Sequence, residues 1–174
     1  MQPRRHAIAA AAPKSENARE GIRGRGQKVT EDEILAVFAR TKPPVLDTLG
    51  GRVVAYDKAL ERVTMQWTTE TRHCHSVEGH PRGGIVQGGI VTGWIDSAMA
   101  HACVAKSAFT VGVPSLEIKV SFLSAASPGL YRSYGWIAKW GRSVAFLEGE
   151  LRDEEGALIA RATSTAALRH LKKA

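Results

Sequence analysis

The stretch Ile85-Val86-Gln87-Gly88-Gly89-Ile90-Val91-Thr92-Gly93-Trp94-Ile95-Asp96-Ser97-Ala98-Met99-Ala100-His101-Ala102 decides how this sequence folds. From about Gly89 to Lys106, the residues Val91, Ile95, Ala98, Met99, Ala102 and Cys103 recur at helical spacing, which predicts one long, nearly apolar helix. After it the period switches to two. Leu116, Ile118, Val120 and Phe122 alternate, as do Trp136, Ala138 and Trp140, then Val144 and Phe146, then Leu158, Ala160, Ala162 and Ser164. Turn signals at Ser127-Pro128-Gly129, Gly141-Arg142 and Asp153-Glu154-Glu155-Gly156 separate these runs. Connections so short leave no room for crossover helices, so the sheet is antiparallel.

Upstream, Thr30 and Glu33 form a capping box that opens a short helix to about Arg40, with Ile34, Val37 and Phe38 on one face. Lys42-Pro43-Pro44 stops it. Val53 and Ala55, then Val63, Met65 and Trp67, predict two strands joined by a turn at Asp57–Leu60. A Gly- and His-rich loop spans roughly residues 70–88. A single apolar helix serving five or six antiparallel strands belongs in their concave face, which makes the domain α+β.

Within Ile85–Ala100 a single residue, Asp96, is charged. Placed among Trp94, Ile95, Ala98 and Met99 inside a wrapped helix, its carboxylate would cost several kcal/mol unless paired or protonated. A local tie to the preceding loop satisfies it; so does a role as general base or nucleophile. Gln87-Gly88-Gly89 precedes the helix, where first-turn N–H groups have no intrahelical partner. Glycines there let a carbonyl approach those N–H groups, and the helix dipole favours an oxyanion. Close packing of helix on sheet is the plainer use of the same glycines.

Composition excludes other classes. A length of 174 residues suits one domain, and 44% hydrophobic with 24% charged residues is globular. The net charge of +7 is concentrated at the start. Residues 1–28 carry seven bases against Glu16 and Glu20, a net of +5, leaving +2 for the other 146 residues. That head has no periodicity and reads as a disordered basic extension. It lacks aromatic residues to stack on bases, and the remainder is too near neutral to call for nucleic acid. No apolar run approaches the ~20 residues of a membrane span. Two cysteines, Cys74 and Cys103, build no disulfide framework and point to reduced thiols in the cytoplasm.

The quoted stretch strongly resembles the His-Gly-Gly … Asp segment of hotdog-fold acyl-CoA thioesterases, the phenylacetyl-CoA type within the 4-hydroxybenzoyl-CoA thioesterase superfamily. The resemblance runs from about Phe38 to Leu168 and includes Leu116–Phe122 before Pro128-Gly129, and Gly156-Ala157-Leu158-Ile159-Ala160. It makes residues 29–174 a hotdog domain and implies hydrolysis of an aromatic or medium-chain acyl-CoA with no metal or redox cofactor. Gly88, with Gly89 beside it, offers backbone N–H to the thioester oxygen. Asp96, eight residues later and supplied by the neighbouring subunit, attacks the carbonyl or activates water. Ser115 matches a position that helps place water. Gln87 stands where relatives carry His, so it hydrogen-bonds without changing charge. The usual Asn of the preceding loop has His75 as its counterpart by context, or His80 by spacing. Trp94 is expected at the acyl pocket, and Arg142, then Arg82, are the candidates for CoA phosphate. The resemblance implies a homodimer with shared sites, paired into a homotetramer.

Rival readings are a zinc site at His73, Cys74, His75 and His80, whose spacing fits no familiar pattern, and a Cys74 nucleophile. His101, five residues past Asp96, superficially fits a hotdog hydratase or dehydratase pair, but its place on the helix suggests a structural role. A non-catalytic acyl-CoA-binding protein is the remaining alternative. Trp67, Trp136 and Trp140 are expected in the core.

Overall fold

The computed structural model describes residues 29–171. The basic extension expected over residues 1–28 lies outside them. Helix α1 (Glu31–Arg40) opens on the anticipated capping box. The Glu33 amide donates to Thr30 Oγ1 at 3.2 Å, and the Thr30 amide donates to Glu33 Oε2 at 2.8 Å. Ile34, Val37 and Phe38 are buried. After the prolines comes a helix that periodicity cannot announce, the one-turn α2 (Val45–Thr48), which buries Leu46.

Strands β1 (Gly51–Asp57) and β2 (Arg62–Thr69) pair antiparallel as expected. A 3-10 turn follows at Thr71–His73. The expected loop over 70–88 then holds a small hairpin, β3 (Cys74–Ser76) with β4 (Ile85–Val86). Helix α3 (Gly88–Lys106) is the predicted long helix. Beyond it lie β5 (Val111–Gly112), β6 (Ser115–Phe122), β7 (Gly129–Trp140), β8 (Val144–Asp153), β9 (Leu158–Ala167) and β10 (Arg169–His170). The main sheet has six strands in the order β1-β2-β7-β8-β9-β6, every neighbouring pair antiparallel. β5 and β10 pair separately. Helix α3 packs across β2, β7, β8 and β9, the α+β hotdog arrangement.

Two strands differ from expectation in phase or length. In β8 the buried residues are Ala145, Leu147, Gly149 and Leu151, so Phe146 faces outward and is 45% exposed. In β7 the ladder begins seven residues before Trp136, because its inward positions are Tyr131, Ser133 and Gly135 rather than an apolar alternation. Trp136 and Trp140 are accordingly only half-buried, while Trp67 is core.

The centre of the core is an aromatic stack with its polar atoms satisfied. Trp94 lies between Trp67 and Tyr131, with ring centroids 5.8 and 5.6 Å apart. Trp67 Nε1 donates to Ser133 Oγ at 2.8 Å, and that hydroxyl donates to the Trp94 carbonyl at 2.9 Å. Trp94 Nε1 donates to the Leu49 carbonyl at 2.9 Å. Buried indole N–H groups need such partners.

His101 joins α3 to α1. Its ring sits 4.9 Å from that of Phe38, and Nδ1 bonds the Ser97 carbonyl at 2.7 Å. Desolvation lowers its pKa from the usual 6.5, partly opposed by that carbonyl. The unfolded chain therefore takes up this proton first as pH falls. Folding stability is expected to decline as pH drops below about 6.5 and to level once the folded form also protonates. Replacing His101 with Leu should flatten that part of the urea-midpoint profile.

Candidate active site

Two polar constellations sit on α3, one at its first residue and one two turns on. Gln87, extended at φ −65° and ψ 133°, is the N-cap. Its Oε1 accepts from the Gly89 amide and, at 3.2 Å, from the Ile90 amide. Its own amide donates to the His73 carbonyl at 2.9 Å. Gly88 is the first helical residue, and its N–H has no protein partner among the described residues. The Gly pair is thus divided: the Gly89 N–H is occupied by Gln87, and the Gly88 N–H alone remains to meet a ligand.

Phe122, at the end of β6, lies against Gly88; a Cβ on that glycine would stand 3.3 Å from the ring's Cζ. Between them opens a cleft of about 360 Å³, walled by Val86, Val91, Phe122 and Leu123, with His75 at its rim. His75 is exposed, and its Nδ1 bonds Ser76 Oγ at 2.7 Å. Of the two histidines considered for the loop, His75 lines this cleft. His80 instead sits in the β3–β4 turn, where its carbonyl accepts from the Gly83 amide at 3.0 Å.

The second constellation is Asp96 with Ser115. Ser115 Oγ, at the start of β6, donates to Asp96 Oδ1 at 2.7 Å. Asp96 is half-buried rather than enclosed among Trp94, Ile95, Ala98 and Met99. The expectation that Trp94 walls an acyl pocket beside Asp96 is corrected. Two residues apart on a helix is about 200°, so Asp96 points to the edge strand β6 while Trp94, wholly buried, faces β2 and β7. Eight residues separate Gly88 from Asp96, about 12 Å of helix rise. One chain therefore does not bring its own Gly88 N–H and its own carboxylate to a single carbonyl.

The arginines fall at opposite ends. Arg82 is exposed on the β3–β4 turn, near the Gly88 end. Arg142 is exposed between β7 and β8. The register Ser115↔Ala166↔Ala145 places that turn at the Asp96 end.

The remaining candidates have structural partners. His73 is buried; its Nδ1 accepts from the Glu70 amide at 3.0 Å and its Nε2 donates to the Thr48 carbonyl at 3.1 Å. Burial raises the Cys74 thiol pKa, and that of Cys103 to about 12, so neither is an activated nucleophile. Among the described residues no three His, Cys, Asp or Glu side chains gather as a metal-binding group. His101 is engaged with Phe38 and Ser97 rather than with Asp96. Sequence reasoning read Phe122 only as strand alternation and missed its position over Gly88. The aromatic residue ending a strand was the only local signal.

Among curated proteins none matches the chain by sequence. In solved structures it is similar to a phenylacetic acid degradation-related protein from Ralstonia eutropha, at 28% identity and a TM-score of 0.65, covering 77% of this chain and 98% of that one. A thioesterase from Haemophilus influenzae matches in fold at 16% identity and a TM-score of 0.68, covering 84% and 95%. The PaaI protein of the Escherichia coli phenylacetic acid degradation operon matches in fold at 13% identity and a TM-score of 0.66, covering 82% and 97%. Residues 83–160, which carry the capped helix start, Asp96, Ser115 and Phe122, match the model of the thioesterase superfamily. The chain has the hotdog fold, its residues 83–160 match the thioesterase superfamily, and thioester hydrolysis is the reaction class these matches support.

Proposed function

We propose that the chain hydrolyses an acyl-CoA, aromatic or medium-chain, at a site shared between two copies. The observation that carries this reading is the free Gly88 N–H opening into an apolar cleft, with a Ser115-oriented carboxylate too far along the same helix to serve it. Strand β6 is a sheet edge whose Leu116 and Phe122 are 60% and 54% exposed. Phe122 shares its face with Ala160 of β9, the face that elsewhere packs on α3, yet among the described residues it is left more than half exposed beside Gly88. Antiparallel pairing of β6 with its counterpart across a two-fold axis buries that apolar surface. It also brings Ser115 and Asp96 of one copy toward Gly88 and Phe122 of the other. A homodimer is then the working unit, and pairing of dimers into a tetramer belongs to the same proposal. So does a cytoplasmic location, in keeping with two free cysteines.

In this scheme the acyl group lies in the cleft with its thioester oxygen on the Gly88 N–H. Ser115 holds one Asp96 oxygen, and the other takes a proton from water as the water oxygen bonds the carbonyl carbon. The oxyanion gains from the N–H and the α3 dipole. Collapse breaks the C–S bond, and the proton passes from Asp96 to the departing CoA sulfur. Direct attack by Asp96 is distinguished by one turnover in ¹⁸O-water: label in the released acid supports the water route, label in the protein supports an anhydride. Arg82 and Arg142 are the cations proposed to meet CoA phosphates, one from each copy.

The test is a panel of acyl-CoAs followed with a thiol-trapping dye. Turnover of aryl or medium-chain acyl-CoA is expected. Binding of acyl-CoA without release of thiol would instead support a non-catalytic binding protein.

A further inference from the structure

Gln87 occupies the residue before the Gly pair with a side chain folded back onto its own helix. Its Oε1 accepts from the Gly89 and Ile90 amides, and its backbone N–H is tied to the His73 carbonyl. Gly89 fits this arrangement in a specific way. A Cβ there would stand 2.7 Å from Gln87 Oε1, so any side chain at 89 displaces the carboxamide, the far end of a flexible chain. The two glycines thus have separate uses: Gly88 leaves room for Phe122 and the ligand, and Gly89 leaves room for the cap.

We propose that Gln87 is a positioning residue for the thioester oxygen. By occupying the next two amides with a neutral acceptor, it fixes the first turn so that the Gly88 N–H alone points into the cleft with no titrating charge on the cap itself, His75 at the rim being the titratable group that faces the same cleft. This rests on the reading of Gly88 as the oxyanion donor. A histidine in that position changes charge near neutral pH; a carboxamide does not. Polarisation of the thioester is therefore independent of pH at this residue.

Three variants of the full-length protein separate this from a purely structural cap. Gln87→Glu retains an acceptor and adds the negative charge that a helix start favours, so thermal stability should be kept or rise. The same charge opposes the developing oxyanion, so kcat should fall about ten-fold or more with KM little changed. Gln87→Ala and Gly89→Ala should each lower kcat, and their double variant should be no worse than either, because both remove one cap. A Gln87→Glu protein with wild-type kcat, or fully additive Ala effects, would overturn the proposal. Failure of the underlying reading is distinct: the wild type itself would then turn over no acyl-CoA.

Discussion

Asp96→Asn and Gly88→Pro, each purified alone, are expected to lose nearly all turnover, and the two co-expressed in equal amounts to regain about a quarter of wild-type activity. The first substitution removes the group proposed to accept the water proton. Asparagine is nearly isosteric and keeps an oxygen for Ser115 Oγ, so the fold should stand while kcat drops about 10²–10⁴-fold. The second removes one N–H and sets a proline ring in the cleft, its Cβ 3.3 Å from Phe122 Cζ, so it strikes both the oxyanion donor and the acyl site. Gly88 is the first helical position, where proline's fixed φ and missing donor are tolerated. The preceding Gln87 already has the extended backbone a residue before proline prefers. Loss of a single oxyanion donor should lower kcat about 10²–10³-fold. The mixture decides whether the site is shared. A site is intact only when its Gly88 comes from the Asp96→Asn copy and its Asp96 from the Gly88→Pro copy. Random association makes that one site in four, whether or not dimers pair further. A mixture no more active than its parents would end the shared-site reading, because about 12 Å of helix between the two residues leaves only another copy to complete it.

The parts of this molecule legible in its sequence are those fixed by local chemistry. The Thr30–Glu33 capping box is a four-residue signal, and α1 begins where it says. The apolar period from Val91 to Cys103 locates α3 to within a residue. What escaped was set by neighbours in space. The inward positions of β7 read Tyr131, Ser133, Gly135 because an indole needs the serine hydroxyl and a helix backbone needs the glycine. No alternation survives such demands. In β8, Val144 and Phe146 resemble a buried pair, yet the strand turns Ala145 and Leu147 inward, in phase with Gly149, whose close approach to Ile95 and Met99 of α3 sets the inner face. Trp94 was misplaced by adjacency: nearness to Asp96 in sequence is opposition on a helix. At the site, the Gly88-to-Asp96 spacing was visible. The capture of Gly89 by Gln87 was not, since a side chain folding back on its own helix leaves no pattern.

Gly135→Ala should be strongly destabilising for a single added methyl. Gly135 lies at the middle of β7, between Val63 of β2 and Gly149 of β8. A Cβ built on it stands 2.3 Å from the carbonyl carbon of Ala98, 2.3 Å from the Met99 nitrogen and 2.6 Å from the Ala98 oxygen. All three are backbone atoms of α3, so no rotamer change relieves the contact. Either the helix lifts from the sheet or the strand bows away. Lifting α3 loosens the stack of Trp94 between Trp67 and Tyr131 and weakens the hydrogen bond from Ser133 to the Trp94 carbonyl. Overpacking of a yielding core costs about 1–3 kcal/mol, and a clash between two backbones belongs at or above the top of that range. For a domain of this size, about 3 kcal/mol corresponds to a Tm lower by about 6–12 °C. Gly156→Ala supplies the contrast: no atom lies within 4 Å of its added Cβ, and its strain comes only from φ +86° in a surface turn. Its shift should be well under that of Gly135→Ala. Equal shifts in thermal melts would mean that α3 does not lie against β7 at this glycine.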